Sequence, residues 1–247
     1  MVAEGPEHAA VVIGVGARAG LGAAVARRLG AEGLHVFVSG RTVARIEACA
    51  EEVRGGGGRA TAVPGDATRP ADVERLFAAV DAAELPLEIV VYNAGNARFG
   101  TLLEIDAAAF EETWRIVCLG GFLAGQEAAR RMSAQGRGSI LFTGATASLR
   151  ARPPFVAFAS AKFGLRAVAQ AMARDLGPQG IHVAHFIIDG VIDGEQVNQR
   201  MPDLKQRLGE DGMLLPDAIA AAYWDVHRQQ RSAWSHEIDL RPWKEGF

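Results

Sequence analysis

Short runs of apolar residues alternate along the chain with stretches in which apolar residues recur at helical spacing. The runs are rich in β-branched residues and predict six buried strands, at residues 11–14, 35–39, 60–63, 87–92, 139–143 and 181–188. The intervening patterns predict helices at residues 21–29, 43–53, 71–82, 110–132 and 155–176. Continuous apolar strands between helices are typical of a parallel sheet covered on both faces. The pattern therefore predicts an α/β fold with a doubly wound parallel sheet, the Rossmann fold.

The pattern shows neither a linker nor an internal repeat, so we expect residues 1–247 to form a single domain. The last part, from about residue 193, is expected to supply the substrate side and the C-terminal elements. It contains a predicted helix at 218–227 and a predicted strand at 237–240. The final segment, 241–247, carries two large aromatic residues and is expected to pack against its own domain or against a partner subunit.

Composition narrows the class of protein. A chain of 247 residues is long enough for one large α/β domain, and no apolar run is long enough to cross a membrane. The start of the chain lacks the pattern of a signal peptide. A net charge of −3 with mixed signs gives no nucleic-acid footprint. Cys49 and Cys118 lie far apart and form no metal pattern, so we expect a reduced, cytoplasmic setting and no metal site.

A glycine-rich turn joins the first predicted strand to the first predicted helix. Its sequence is Gly14-Val-Gly16-Ala-Arg18-Ala-Gly20-Leu21-Gly22. Glycine permits a tight turn and lets backbone amides approach a pyrophosphate, and the helix N-terminus adds partial positive charge. A strand before the turn and a helix after it are the context that such a site requires. The turn predicts a dinucleotide-binding site, whereas the alternative is a glycine turn required only for packing.

The end of the second strand predicts the kind of nucleotide. Binders of the non-phosphorylated dinucleotide usually end this strand with an acid that binds the ribose hydroxyls. Here the sequence is Ser39-Gly40-Arg41-Thr42, without an acid. Arg41 can pair with a 2′-phosphate and stack on adenine, and Arg18 is expected to assist. We therefore expect NADP(H) to be preferred over NAD(H), the alternative being that Arg41 is only a solvated residue at a helix start.

Several motifs in order resemble the short-chain dehydrogenase/reductase family over about residues 8–195. They are the glycine spacing Gly16-x-x-x-Gly20-x-Gly22, Asp66-Ala67-Thr68, Asn93-Ala94-Gly95 and Phe158-Ala-Ser-Ala-Lys162. The turn has Val15 where that family usually has threonine. The resemblance implies cofactor contacts from Asp66, Ala67, Asn93, Ala94, Gly95, Lys162 and Val191. It also implies a homodimer or homotetramer that packs on the helix following Lys162.

The catalytic positions depart from the family pattern. Family members use asparagine, serine, tyrosine and lysine, and alignment on Lys162 places Cys118, Ala145 and Phe158 at the first three positions. A divergent branch spaces its tyrosine seven residues before the lysine, and that position is Phe155. Only Lys162 is retained, so the chain resembles an atypical subgroup with phenylalanine in place of the catalytic tyrosine. Phenylalanine cannot donate a proton, and general acid catalysis typically contributes about 10²–10⁴-fold.

Other polar groups were weighed as replacements. Lys162 is a candidate proton donor if burial lowers its pKa. Thr146 is the nearest hydroxyl to the lost serine, with a local backbone contact as the alternative. Tyr92 is expected to pack, and Tyr223 lies on a helix that can cover the substrate side. Cys118 is expected to be an apolar filler.

The sixth strand and the segment after it carry further polar residues. His182 and His185 face opposite sides of the sixth strand and make no metal pair. Asp189, Asp193 and Glu195 are expected in a solvated loop, with pocket lining as the alternative. None of these residues therefore replaces the lost catalytic groups on sequence grounds.

Two functions follow from these observations. The first is an NADP(H)-binding oxidoreductase with a degenerate catalytic tetrad and an unknown substrate, such as an activated alkene or an imine. The second is a catalytically inactive nucleotide-binding protein that acts as a sensor or partner subunit. We expect a small-molecule substrate or ligand, with no nucleic acid and no membrane as partners.

Overall fold

The computed structural model describes residues 7–96 and 98–246 of the chain. Within these ranges one sheet contains seven parallel strands in the order β3-β2-β1-β4-β5-β6-β7, which confirms the predicted doubly wound fold. The strands are β1 Ala9–Ile13, β2 His35–Gly40, β3 Arg59–Pro64, β4 Leu87–Tyr92, β5 Gly138–Thr143, β6 Ile181–Ile188 and β7 Glu237–Leu240. Helices connect successive strands along the chain, because two parallel strands need a crossover connection.

The helices cover both faces of the sheet. They are α1 Leu21–Ala31, α2 Val43–Gly55, α3 Pro70–Ala82, α4 Ala107–Trp114, α5 Gly120–Gln135, α6 Val156–Leu176, α7 Glu195–Arg200, α8 Leu204–Leu208 and α9 Pro216–His227. One apolar core packs α1, α2 and α9 against one face, and a second core packs α3, α5 and α6 against the other. The central strands are buried on both faces, which explains their continuous apolar sequences.

The strand order reverses between β1 and β4, and the candidate site lies at the carboxyl ends of these two strands. β1 pairs with β2 on one side and with β4 on the other. The loops after these two strands leave in opposite directions, so a crevice opens at their carboxyl ends. Residues after β1, β2, β3 and β4 therefore meet at one edge of the sheet.

The predicted helix at 110–132 contains a local irregularity. Residues Arg115–Leu119 form one π-helical turn between α4 and α5, and Cys118 lies in that turn. The Tyr92 hydroxyl donates a hydrogen bond to the Ile116 carbonyl, which lies within the widened turn. Tyr92 is fully buried, so this contact fixes the turn against the end of β4. Such turns often occur at functional sites.

The C-terminal part of the chain adds an edge strand and two short helices. β7 runs parallel to β6, as the sequence predicted. Helices α7 and α8 were not predicted, because their sequences are short and polar. Trp243 is 76% exposed, and Phe247 lies outside the described residues. Among the described residues, no helix is long and apolar enough to span a membrane, and no cluster of metal-binding side chains was found.

Candidate nucleotide-binding and active site

A cavity of about 420 Å³ lies in the crevice at the carboxyl ends of β1–β4. Most of the residues predicted to bind the cofactor line it, and they come from four separate loops. These residues are Gly14, Gly16, Gly20, Leu21, Gly22, Arg41, Asp66, Ala67, Asn93, Ala94 and Gly95. The fold thus brings the separate sequence motifs together around one cavity.

The glycine turn is held in place by close backbone contacts. Gly14 has φ +93°, and a side chain there would collide with the backbone of Ala94. The Gly14 carbonyl accepts a hydrogen bond of 3.2 Å from the Asn93 side-chain amide. A Cβ at Gly22 would lie 2.8 Å from that same carbonyl. These positions require glycine because the turn, α1 and the end of β4 touch one another.

Gly16 differs from these glycines because its missing side chain leaves open space, which indicates whether the cavity fits a dinucleotide. It lines the cavity, and a Cβ at this position would have no atom within 4 Å. Its missing side chain therefore leaves space in the cavity and serves no packing contact. Helix α1 begins at Leu21, directly beside this space. An open glycine at a helix N-terminus fits a pyrophosphate.

The far end of the cavity carries positive charge. Arg41 and Thr42 follow β2, and Arg45 lies in the first turn of α2. Arg45 was missed by sequence reasoning, although its place in the first turn of the helix that follows Arg41 was a signal. Gly40 also lines the cavity, and a Cβ there would collide with the Val15 carbonyl.

Three predicted cofactor residues, Arg18, Val191 and Lys162, lie outside the lining of the cavity, and Lys162 is described below. Arg18 forms an ion pair with Glu52 on α2, and its side chain is 81% exposed. The Val191 carbonyl accepts a hydrogen bond from Leu214, whereas its neighbour Ile192 lines the cavity. The segment Gly194–Val197 also lines it, which sequence reasoning did not predict. Roles for Arg18 and Val191 in binding remain predictions.

A family model described as short chain dehydrogenase matches residues 10–204. The chain belongs to the short-chain dehydrogenase family. This assignment agrees with the Rossmann fold and with a nucleotide-binding crevice at the strand reversal. It covers the whole of the cavity described above, and it extends over the retained Lys162.

Known proteins with similar sequences carry related names. A protein named short-chain dehydrogenase/reductase eriH from Hericium erinaceus is 34% identical over 187 residues, which are 74% of each chain. An L-rhamnose 1-dehydrogenase (NAD(P)(+)) from Azotobacter vinelandii is 32% identical, covering 79% of this chain and 78% of its own.

Solved structures give the same picture of the fold. A short-chain dehydrogenase from Rhodopseudomonas palustris has a TM-score of 0.81 and 40% identity, covering 96% of this chain and all of that one. An actinorhodin polyketide ketoreductase with NADPH has a TM-score of 0.86 at 21% identity, with 96% of each chain covered, which shows the fold alone.

Lys162, which the sequence resemblance predicts to be the retained catalytic lysine, lies beyond the inner end of the cavity. Its Nζ donates a hydrogen bond of 2.6 Å to the Thr143 carbonyl at the end of β5. It lies 5.4 Å from the centroid of the Phe158 ring. A Cβ on the cavity residue Gly95 would lie 4.0 Å from Nζ. Burial lowers the pKa of Lys162 to about 8, because a charged ammonium is costly there.

The positions that align with the lost catalytic groups are largely apolar. Phe158 is partly buried in the first turn of α6, three residues after Phe155. Ala145 directly precedes a short 3₁₀ turn, Thr146–Ser148. Cys118 is buried, and burial raises the pKa of its thiol, so the unreactive thiol form is favoured. The side chains at these positions provide neither a strong acid nor a hydroxyl.

Thr146 and Asp189 form a polar cluster beside this region. Thr146 Oγ1 donates a hydrogen bond of 2.5 Å to Asp189 Oδ1, and Arg150 Nη2 lies 3.1 Å from the same oxygen. Arg241 Nη2 lies 3.2 Å from Asp189 Oδ2. The expectation of a solvated loop is wrong for Asp189, which is 2% exposed. Three charged-group contacts and a hydroxyl compensate its burial.

The neighbouring acids differ from Asp189. Asp193 forms a 2.6 Å ion pair with Lys205, and this contact lowers the pKa of its carboxyl. Glu195 lines the nucleotide cavity, which corresponds to the pocket alternative. One of the three acids therefore faces the candidate site directly. The other two stabilise the loops that surround it.

Tyr223 is part of the core and does not cover a substrate. It is fully buried, and its ring stacks on Phe186 with 3.9 Å between centroids. Its hydroxyl lies 2.8 Å from Thr143 Oγ1, and burial raises its pKa. The two tyrosines of the chain therefore both have structural partners. Neither replaces the phenol that the family uses.

His185 adds a buried group that sequence reasoning did not connect with the site. Its Nε2 lies 3.4 Å from Ser148 Oγ, which in turn accepts a hydrogen bond from the Ala145 amide. Burial, together with the nearby charge of Lys162, lowers the His185 pKa to about 4. The neutral ring thus supports the loop at the lost serine position.

Proposed function

We propose that this chain is an NADP(H)-binding oxidoreductase of an atypical type, with phenylalanine in place of the catalytic tyrosine. The observation that carries the proposal is one continuous crevice with two different ends. Arg41 and Arg45 line its outer end, and Lys162 lies beyond Gly95 at its inner end. The nucleotide side is complete, whereas Phe158 and Ala145 leave the catalytic tetrad degenerate.

Each part of the crevice has a task in this proposal. Gly16 and the N-terminus of α1 would hold the pyrophosphate, and Asp66 and Asn93 would border the adenosine. Asp66 already accepts hydrogen bonds of 2.9 Å from the amide and the hydroxyl of Thr68, so its carboxylate is fixed. Lys162 would hold the nicotinamide ribose. A bound nicotinamide supplies a hydride.

The preference for NADP(H) rests on charge at the end of β2. Ser39, Gly40 and Arg41 provide no carboxylate for the ribose hydroxyls, and both Arg41 and Arg45 are exposed beside the cavity. A 2′-phosphate would find two guanidinium groups there. Among similar structures, a metagenomic short-chain oxidoreductase was solved in complex with NADP, at 23% identity.

The preference is tested by fluorescence titration with NADPH and NADH. We expect NADPH to bind more tightly, and Arg41→Ala and Arg45→Ala each to weaken NADPH about tenfold, roughly 1.4 kcal/mol, while NADH binding changes little. Arg174→Ala, at an exposed position of α6, is the matched control. Equal affinity for the two dinucleotides would overturn the preference.

A second function is favoured by the apolar replacements themselves. If Phe158 and Ala145 serve only packing, the chain is a nucleotide-binding sensor or partner subunit without turnover. Tight NADPH binding together with no oxidation of NADPH by ketones, enones, imines or quinones would support this function. Oxidation of NADPH by any of these classes would exclude it.

An exposed apolar patch supports a proposal of self-association. Trp114 on α4 and Phe163 on α6 are 38% and 41% exposed, and the Trp114 indole lies beside Gly164. A patch on neighbouring helices fits a homodimer or homotetramer. We expect Phe163→Glu to lower the mass measured by light scattering.

The two free, separated cysteines support the proposed cytoplasmic setting.

A further inference from the structure

The candidate active site keeps a cation and lacks an acid. Lys162 Nζ donates one hydrogen bond, to the Thr143 carbonyl, although an ammonium has three N–H groups. Its neighbours among the described residues include the ring of Phe158 and Gly95, and its charge also acts on the neutral His185. Such a site can stabilise a negative charge that develops beside it. It has no phenol to transfer a proton in the same step.

This combination discriminates between classes of hydride acceptor. Hydride addition to a ketone gives an alkoxide, which is about as basic as hydroxide, whose conjugate acid has a pKa of about 15.7. The enzyme must therefore protonate it as it forms. Hydride addition to a quinone gives a phenolate, whose conjugate acid has a pKa of about 10, as for tyrosine. That anion persists beside a cation and needs no acid from the protein.

Aromatic rings cluster beside Lys162, beginning with Phe158, whose ring centroid lies 5.4 Å from Nζ. Phe155 and Phe158 are three residues apart at the start of α6, so they share one face of the helix. Phe99 meets Phe155 edge to face, with 5.1 Å between the ring centroids. The loops that carry these rings are joined by a 2.9 Å hydrogen bond from the Gly100 amide to the Pro154 carbonyl. Flat aromatic molecules pack well against such rings.

Cys118 is compatible with an electrophilic substrate. Quinones react with thiolates, and the thiolate is the reactive form of cysteine. Burial keeps the Cys118 pKa above its usual value and leaves its side chain 5% exposed. Its sulfur packs against Gly164, where a Cβ would lie 2.9 Å away. A quinone in the site would therefore meet an inert thiol.

We propose that the substrate of this site is a quinone, reduced by hydride with Lys162 stabilising the hydroquinone anion. The inference rests on the proposed NADP(H)-dependent function. In the reaction, one quinone oxygen receives the hydride from C4 of the dihydronicotinamide and becomes a hydroxyl. The two electrons leave the other oxygen as a phenolate, while NADPH becomes NADP⁺. A proton from water then completes the hydroquinone.

The first experiment compares acceptors in the intact chain. NADPH oxidation is followed with menadione and with acetophenone, after subtraction of the rate without protein. We expect kcat/KM for menadione to exceed that for acetophenone by about 100-fold or more, the lower end of what a general acid contributes. Lys162→Met should lower the menadione rate about 100-fold, as does loss of an oxyanion donor elsewhere. Lys244→Met, on the exposed C-terminal tail, is the control.

The second experiment needs no turnover. The probe is 4-nitrophenol, a phenol whose anion is yellow, bound in the presence of NADP⁺. We expect the bound probe to be anionic at a pH where the free probe is half ionised, and this shift to be lost in Lys162→Met. Phe158→Tyr should raise the acetophenone rate, whereas Phe122→Tyr, which adds the same hydroxyl at an exposed position of α5, should not.

The outcomes separate the two proposals. Absence of NADPH binding would remove the proposed function itself. NADPH binding with equal menadione and acetophenone rates, or with no turnover of menadione, would overturn the quinone inference alone. An unchanged menadione rate and an unchanged spectrum of 4-nitrophenol in Lys162→Met would also overturn it.

Discussion

Two regions at the same edge of the sheet differ in whether backbone or side-chain atoms form them. The nucleotide crevice is built largely from backbone, through Gly14, Gly16 and the N-terminus of α1. The region at the end of β5 and the start of α6 depends on side chains, and there we propose that Ala145 and Phe158 replace hydroxyls used by the family. Backbone groups survive most substitutions, whereas a side-chain acid is lost by one. Binding and catalysis are therefore separable in this fold.

The largest expected effect on NADPH affinity comes from a substitution of Gly16 in the nucleotide crevice. Gly16→Val would place two methyl groups in the cavity, because a Cβ there has no neighbour within 4 Å. We expect NADPH binding to weaken about 1,000-fold or more, roughly 4 kcal/mol, with little change in thermal stability. Gly55→Val, at the end of α2 with the same open surroundings, is the control. Unchanged NADPH affinity would show that the pyrophosphate lies elsewhere.

In the second region, buried Lys162 should make the free energy of unfolding depend on pH. The folded chain lowers its pKa from 10.5 to about 8. Between these values the unfolded chain retains a proton that the folded chain releases, so stability rises with pH. The rise amounts to about 3 kcal/mol between pH 8 and 10.5. Denaturant unfolding at both pH values should show it in the native chain but not in Lys162→Met.

Introducing hydroxyls at positions 145 and 158 should raise the rate of ketone reduction. The double variant Ala145→Ser, Phe158→Tyr is expected to reduce ketones about 100-fold faster, roughly 2.7 kcal/mol, because an acid and an oxygen donor return. NADPH affinity should change little, since neither residue lines the nucleotide cavity. Ketone rates that stay unchanged would mean that more than these two groups is missing.

The smallest effect concerns the link between the two regions. Tyr92, at the end of β4, donates to the carbonyl of Ile116 in the π-helical turn. Tyr92→Phe leaves that carbonyl without this donor and should cost about 1 kcal/mol, measured by urea unfolding. NADPH affinity should be unchanged. A loss of affinity would show instead that the turn transmits structure to the crevice.

Much of the fold was predictable because its signals are local. Strand β6 is a run of eight apolar or buried residues, and the glycine turn lies between a strand and a helix as required. The position of Phe158 relative to Lys162 is also a matter of spacing alone. Arg45 was predictable in principle, since it lies in the first turn of the helix that follows Arg41, but its place at the cavity needed the fold.

Residues whose roles depend on distant partners were not predictable. Asp189 resembles a loop acid in sequence, yet Arg150 and Arg241 hold it in the interior from positions 39 and 52 residues away. Tyr223 lies on a helix that the sequence allows to cover the substrate side, but packing of α9 buries it against Thr143 and Phe186. Such contacts leave no periodic pattern in the chain.

The sequence by itself determined the parallel sheet, the glycine turn and the spacing of Phe158 four residues before Lys162, because apolar periodicity and residue type act over short distances. The tertiary structure decided which charges meet. It buried Lys162 against Thr143 and Phe158, which lowers the pKa of the ammonium, and it enclosed Asp189 among arginines. Burial and long-range pairing set the energy of a charge, and both exist only after the chain has folded.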